Sequence, residues 1–280
     1  MPGPKDLDPS SSPRALLGAE LRFARENAGL SQDALGRPLF VSGSFIGQLE
    51  AGTRRIQPDM AVKLDELLET NGFFERNCKA ANKSEYPDHF AEAAEAEAVA
   101  ATIKEYAPLL IPGLLQTEGY ARAVFRAYRP TAAEDVIDTL VAARLSRARI
   151  FHDPDRPLYW AVLDEAVLRR GVGGPAVMAE ALRHIAAMIR RHRIIVQVLP
   201  FRVGEHAGMS GSLKLMTFED GPPLAYLEGL ASGRLEDDPA AVKRHQYTYD
   251  LLRAGALPPR DSLALIESVA EDRAHEDHRP

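Results

Sequence analysis

Between residues 13 and 71 the apolar positions recur three and four residues apart. Leu17, Leu21 and Ala24 form one group, Ala34 and Leu35 a second, Phe45, Ile46 and Leu49 a third, and Met60, Leu64, Leu67 and Leu68 a fourth. That period predicts four or five short helices, with a left-handed stop at Asn71-Gly72. The stretch "HFAEAAEAEAVAATIKEY" at 89–106 keeps the helical period and is rich in Ala and Glu, which predicts a connecting helix with a solvated face. From Ala107 onward the pattern changes. "LYWAVLD", "IIVQVLP", "SLKLMTFE" and "LAYLEGL" are β-branched or aromatic runs bounded by Pro, Gly and Asp, and they predict strands. Helices are predicted over 116–128, 133–151, 174–192, 239–254 and 260–272. The strands at 194–199, 212–219 and 224–229 follow one another too closely for helical crossovers, which predicts an antiparallel meander.

The expected architecture is an all-α N-terminal domain followed by an α+β C-terminal domain with a mainly antiparallel sheet. The divisions are a Pro/Ser-rich flexible arm at 1–12, a helical domain at 13–72, linker helices at 73–100, the α+β domain at 101–275 and a tail at 276–280. No internal repeat is visible.

Within the helical half, Ser31 precedes "QDALG" and Ser42 precedes "GSFIGQLE", each placed as a helix N-cap whose hydroxyl accepts from an orphan backbone amide. Gly36, four residues into the first of these helices, fits a close crossing that tolerates nothing larger than a methyl group. In the second helix Ile46 and Leu49 point inward, leaving Ser44, Phe45 and Gln48 on the other side. Two short helices joined by a tight turn, the second with small polar residues in its first turn, form a helix-turn-helix pattern. Such a second helix enters the DNA major groove by its N-terminal end. Gln48 can pair with adenine, Ser44 with the bases of either strand and Phe45 with a thymine methyl, and Gly43 is placed with them as base-contacting. Arg54 and Arg55 after the Gly52 turn, together with Gln32 and Ser42, are placed for phosphate.

Charge sharpens this picture. The 280-residue chain carries 34 basic and 40 acidic residues, a net charge of −6, so contact with a polyanion must be local. Residues 13–57 hold six arginines (Arg14, Arg22, Arg25, Arg37, Arg54, Arg55) against four acids, whereas residues 85–105 hold six acids against Lys104 alone. The single Cys78 excludes an intrachain disulfide and a multi-thiolate metal site. It reads as a small core or boundary residue. No apolar run reaches the roughly 18 residues of a membrane span and the N-terminus lacks a secretory pattern, so a cytoplasmic protein is expected.

The segment "LRFARENAGLSQDALGRPLFVSGSFIGQLEAGTRR" resembles the lambda-repressor-like, XRE-family DNA-binding domain over about residues 14–71. The resemblance implies an ion pair between Arg25 and Glu50 that ties the first helix to the recognition helix. Three departures stand out. Gly43 occupies a position where relatives often carry a base-reading side chain, Phe40 replaces the usual turn glycine, and Pro38 forfeits a backbone bond in the turn before it. A second resemblance, carried by "IPGLLQTEGYARAVF", "RLSRARI", "VLDEAVLRRGVGG", "VQVLPFRVGEHAGMSGSLKLMTFE" and "YDLLRAGALPPRDSLALI", is to the uncharacterised C-terminal domain of actinomycete antitoxin-like transcriptional regulators. It implies a small partner protein encoded nearby.

The polar groups of the second half are Asp164 and Glu165 with Arg169 and Arg170, Glu205 with His206, and Glu228. "LDEAVLRR" has the spacing of helix-surface ion pairs rather than of a catalytic carboxylate pair. His206 lies in the Gly-rich "VGEHAGMSG" with no second ligand at metal spacing. No nucleophile elbow or phosphate-cradling loop is present. The sequence therefore predicts a non-enzymatic regulator without metal or cofactor. It binds double-stranded DNA as a homodimer on paired half-sites, because one helix-turn-helix buries too little surface alone. For the second domain, partner-protein binding, a small-molecule effector and dimerisation remain open. The alternative for the whole chain is a protein-sequestering module whose degenerate helix-turn-helix reads little DNA.

Overall fold

The computed structural model describes residues 9–10, 13–81, 88–219, 221–230 and 232–276. Most of the arm read at 1–12 and residues 277–280 of the tail lie outside the described residues. The first five helices are α1 (Pro13–Asn27), α2 (Gln32–Gly36), α3 (Gly43–Glu50), α4 (Pro58–Leu68) and α5 (Phe73–Ala81). They enclose one core of Leu17, Leu21, Leu35, Leu39, Ile46, Leu49, Ile56, Ala61 and Leu64, closed by Phe74 and Cys78 of α5. Helix α5 is thus packed into the first core, and Cys78 is a core residue there. The stop after α4 comes at Glu69, which takes a left-handed conformation ahead of Asn71 and Gly72. The buried Asp65 carboxylate then caps α5, accepting from the amides of Phe74 (3.0 Å) and Glu75 (2.8 Å).

The second half contains α6 (Asp88–Val99), β1 (Thr102–Ala107), α7 (Glu118–Tyr128), α8 (Glu134–Arg147), β2 (Leu158–Asp164), α9 (Glu165–Arg169), α10 (Pro175–Arg190), β3 (Ile195–Leu199), β4 (Ser212–Thr217), β5 (Leu224–Gly229), β6 (Ser232–Glu236), α11 (Pro239–Gly255) and α12 (Pro259–Glu276). The six strands form one sheet in the order β3-β2-β1-β4-β5-β6. β1 pairs parallel with β2, and β2 with β3, while β1–β4, β4–β5 and β5–β6 are antiparallel. The sheet is mixed, which corrects the expectation of a mainly antiparallel one. Helices α7 and α8 separate β1 from β2, and α9 and α10 separate β2 from β3, long enough connections for parallel crossovers. β3 does not pair with β4 but forms an edge of the sheet with β2 and β1 between them, so the Gly-rich segment that joins them must pass those two strands. Gly208 of that segment lies on the Tyr106 ring, where an added Cβ would come within 2.3 Å of Cε1.

The second half has helices on both sides of the sheet. On one side Ile103, Tyr159, Leu163, Val196, Met216 and Leu224 pack against α6, α10 and α12; on the other, Tyr106, Val162, Leu213 and Leu215 pack with Val242, Tyr249 and Leu252 of α11. The predicted helix at 89–106 is corrected in two ways. It ends at Val99, and Thr102–Ala107 is instead the strand from which both the parallel and antiparallel halves of the sheet grow. Nor is the helix a solvated connector, because Ala91, Ala93, Ala94, Ala96 and Glu97 are all buried.

Glu97 fastens α6 to the sheet. Its carboxylate takes two hydrogen bonds from Arg147 (2.9 and 3.0 Å) and one from Lys214 (2.5 Å). Lys214 also lies 3.4 Å from Glu105, which accepts from the Tyr159 hydroxyl at 2.8 Å. Phe90 of α6 lies beneath the Arg147 guanidinium (4.3 Å) and edge-on to Tyr226. Burial opposes ionisation of Glu97, but Arg147 and Lys214 outweigh it and hold its carboxyl below the usual range. Burial likewise works against the Lys214 ammonium, and Glu105 and Glu97 overcome it.

Replacing Glu97 with Ala leaves two buried cations short of their anion and is expected to cost about 3–5 kcal/mol in urea unfolding. In the native protein the contribution of this cluster is complete between about pH 4.3 and 10.4, the ordinary Glu and Lys values. It is lost as pH falls through the depressed Glu97 value or rises through the elevated Lys214 one, because the unfolded chain then gains or releases the proton first. Urea midpoints measured across pH check both limbs.

Candidate nucleic-acid interface

Both predicted caps form. The Ser31 hydroxyl accepts from the Ala34 amide and the Ser42 hydroxyl from the Phe45 amide, each at 3.1 Å. Between them the chain makes a 3-10 turn over Arg37–Leu39 and then takes Phe40 through a left-handed conformation (φ 57°), with its ring 92% exposed. This is the adjusted turn that Pro38 and Phe40 imply. Gly36 is needed because an added Cβ would come within 2.5 Å of the Val41 carbonyl oxygen, so the close approach is to the turn itself. A second such contact, absent from the sequence reading, is Gly18 of α1, whose added Cβ would lie 2.6 and 2.7 Å from the carbonyls of Glu50 and Leu49. Helix α1 therefore crosses the C-terminal end of α3 backbone to backbone.

The Arg25–Glu50 pair sits at that crossing. Arg25 Nε and Nη2 reach Glu50 Oε1 and Oε2 at 2.5 and 3.1 Å, and Nη1 donates to the Leu30 carbonyl at 2.8 Å. Both side chains are buried, and hydrogen bonding to Glu50 holds the Arg25 guanidinium above its ordinary range. Gln32 joins the pair by donating to Glu50 Oε2 at 2.8 Å, and its amide lies over Gly47. Its reading as a phosphate contact is thus accompanied by an internal role.

Ser44 and Gln48 lie away from the core residues Ile46 and Leu49, whereas Phe45 also packs on that core, and Ser44 and Phe45 are only partly exposed. Gln48 is only 1% exposed. Its Nε2 and the Ser44 hydroxyl are buried without a hydrogen-bond partner among the described residues, each an arrangement that costs about 1–3 kcal/mol. Gly43 is buried against Asp33, where an added Cβ would lie 2.1 Å from Oδ1, so it faces α2 rather than an open groove. The expectation of an outward, accessible face is corrected at Gly43 and Gln48, and Arg54 lies over part of that face. Its guanidinium folds back over the Phe45 ring at 4.2 Å and reaches Gln48 Oε1 at 3.4 Å.

Arg54 is held there by acids of the second half, Asp237 at 2.9 Å and Glu92 at 3.8 Å. Arg55 grips Glu95 with two bonds of 3.1 and 2.9 Å, Arg14 pairs with the same carboxylate, and Gln57 donates to Glu92 at 2.7 Å. Both arginines placed for phosphate thus already bind carboxylates. The polarity of the two segments, basic at 13–57 and acidic at 85–105, was the signal in the sequence for this contact.

Of the polar groups of the second half, Asp164, Glu165, Arg169 and His206 have structural partners. Asp164 caps α9 through the Ala166 amide (2.8 Å) and lies 3.5 Å from both Tyr106 Oη and His206 Nε2. Glu165 pairs with Arg169 four residues on and accepts from the Phe201 amide, as the helix-surface reading of "LDEAVLRR" expects. Arg170, Glu205 and Glu228 are exposed. Beside the Gly-rich segment is a cavity of about 560 Å³ lined by Tyr106, Ser212, Glu228, Arg234 and His245 among others. Among the described residues no helix is long and apolar enough to cross a membrane.

Residues 16–72 match a helix-turn-helix domain, in agreement with the capped α2–α3 pair and its locked crossing. Residues 90–268 match a domain of unknown function, DUF5753, which covers more than half the chain. The chain belongs to the DUF5753 family. No curated protein and no solved structure matches it. In this family member the DUF5753 region begins within α6, the helix that supplies Glu92 and Glu95 to the helix-turn-helix surface.

Removing one partner of the Arg25–Glu50 pair strands a buried charge. Arg25→Ala is expected to destabilise the N-terminal helices by about 3 kcal/mol, the lower end for buried pairs because Arg25 keeps some solvent contact. Differential scanning calorimetry, with far-UV dichroism to follow the helices, provides the measurement.

Proposed function

We propose that this DUF5753 protein is a sequence-specific, DNA-binding transcriptional regulator of the XRE type rather than an enzyme. Its second domain receives the signal of a small partner protein or effector, as in the antitoxin-like actinomycete regulators it resembles. The observation carrying this reading is the α2–α3 pair, capped at Ser31 and Ser42 and fixed on α1 by Arg25–Glu50, within a matched helix-turn-helix domain. Such a pair presents α3 to the major groove. Ser44, Phe45 and Gln48 then meet base edges, and Ser42, Arg54 and Arg55 the flanking phosphates. A homodimer on paired half-sites supplies the affinity that one small domain lacks. The cavity beside the Gly-rich segment has the dimensions of a small-ligand site, which supports an effector.

A second reading, a protein-sequestering module with little DNA recognition, is favoured by one observation: the partly covered side of α3, with Gln48 buried and Arg54 and Arg55 on carboxylates. The two readings part on one variant. As a regulator, Ser44→Ala/Gln48→Ala keeps its fold and its phosphate contacts but loses base discrimination, about 1–3 kcal/mol for each contact removed. Genomic footprinting should show discrete sites for the wild type that vanish in the double variant. A wild-type footprint without discrete sites favours the sequestering module.

A further inference from the structure

Helix α6 is charged on two opposite sides. Glu97 points to the sheet and is buried by Arg147 and Lys214. Glu92 and Glu95, one turn apart and on the other side, meet Arg14, Arg54, Arg55 and Gln57 of the N-terminal domain, and Asp237 beyond β6 completes the grip on Arg54. The cations so engaged include both arginines that the helix-turn-helix reading assigns to phosphate.

Resting on that reading, we propose that the arrangement is a self-inhibited form of the regulator. In it Glu92, Glu95 and Asp237 stand in for DNA phosphates, so that duplex and second domain compete for the same arginines.

Three observations support an exchangeable cover over a permanent joint. The two halves keep separate apolar cores, with no residue shared between the helical cluster and the clusters of the second domain. The ion pairs and hydrogen bonds named across the junction are ones that a phosphate backbone can replace one for one. The base-reading groups gain little: Gln48 Oε1 takes one long bond from Arg54 (3.4 Å), while Ser44 Oγ and Gln48 Nε2 are buried with no partner among the described residues. The cover is matched to the protein's phosphate contacts and unmatched to its base contacts. The Glu97 anchor keeps the acidic face with the second domain when the halves part, so an event in that domain that shifts α6 alters access to DNA. Apparent affinity then scales with the open fraction of molecules.

The test uses the full chain and a duplex of mixed sequence at low salt, with fluorescence anisotropy as readout. The junction variant Glu92→Gln/Glu95→Gln/Asp237→Asn removes three negative charges. The control, Glu205→Gln/Glu271→Gln/Asp272→Asn, removes three from exposed positions away from the junction and corrects for net charge. The junction variant should bind at least tenfold more tightly than the control, and backbone amides of residues 44–57 should exchange faster in it without DNA. Equal affinity of the two variants, or unchanged exchange, overturns self-inhibition and leaves DNA binding standing. If wild type, control and junction variant all fail to bind duplex, the helix-turn-helix reading itself falls and takes the proposal with it.

Discussion

Everything at the centre of this molecule depends on how α6 resolves its charge. A helix with acids on opposite sides cannot be buried unless each side finds cations, since an unpaired carboxylate in a low-dielectric setting costs several kcal/mol. On the sheet side the cations are Arg147 and Lys214, brought together from α8 and β4. On the other side they are the arginines of the N-terminal domain. The alanines between the acids allow this, because Ala91, Ala93, Ala94 and Ala96 have side chains small enough for close approach on both sides. One helix is therefore both a structural layer of the second domain and an acidic surface for the first.

The N-terminal domain is built around a different constraint, the backbone contact of α1 with the end of α3. Gly18 lets the two backbones touch, and Arg25 and Glu50 close the contact electrostatically. Gln32 and the Leu30 carbonyl fill the remaining hydrogen-bonding capacity of the pair. With this crossing fixed, α3 cannot rotate about its axis to change which residues face outward. Ser44, Phe45 and Gln48 form its outer side whether or not something covers them. The outer side of α3 is thus preorganised, and a change in what it meets must come from access rather than from the shape of the helix.

How much of this was legible in the chain follows from where each interaction is encoded. The caps at Ser31 and Ser42, the need for Gly36 and the irregular turn at Phe40 are local, and residues within five positions announce them. The strands at 158–164 and 224–229 carry enough β-branched and aromatic residues to be read directly. β1 is hidden because both its sides are covered: Ile103 and Tyr106 face opposite layers, and Glu105 is charged yet half-buried among partners drawn from β2 and β4. Alternation cannot appear in such a strand, and its Ala-rich approach imitates a helix end. Without β1 the sheet order could not be derived, so the near neighbours β3 and β4 looked like a hairpin although β2 and β1 separate them. The partial occlusion of α3 was encoded only as two oppositely charged segments. Composition shows that these attract, but not which arginine meets which acid.

The same asymmetry bears on function. The residues that face bases and those that face phosphates are usually considered together, yet here they have different environments. The phosphate-type groups Arg54 and Arg55 are well paired, while Ser44 Oγ and Gln48 Nε2 are buried with no partner among the described residues. A surface optimised only for holding two domains together would not bury an amide and a hydroxyl without partners, since apolar replacements at both positions would remove that cost. Their retention inside a polar junction is understandable if they have a second partner in another state. The chemistry of that partner is fixed by what is missing, hydrogen-bonding edges at Ser44 and Gln48 beside a row of negative charges at Arg14, Arg54 and Arg55. A DNA groove offers groups of both kinds, and α6 offers only the second.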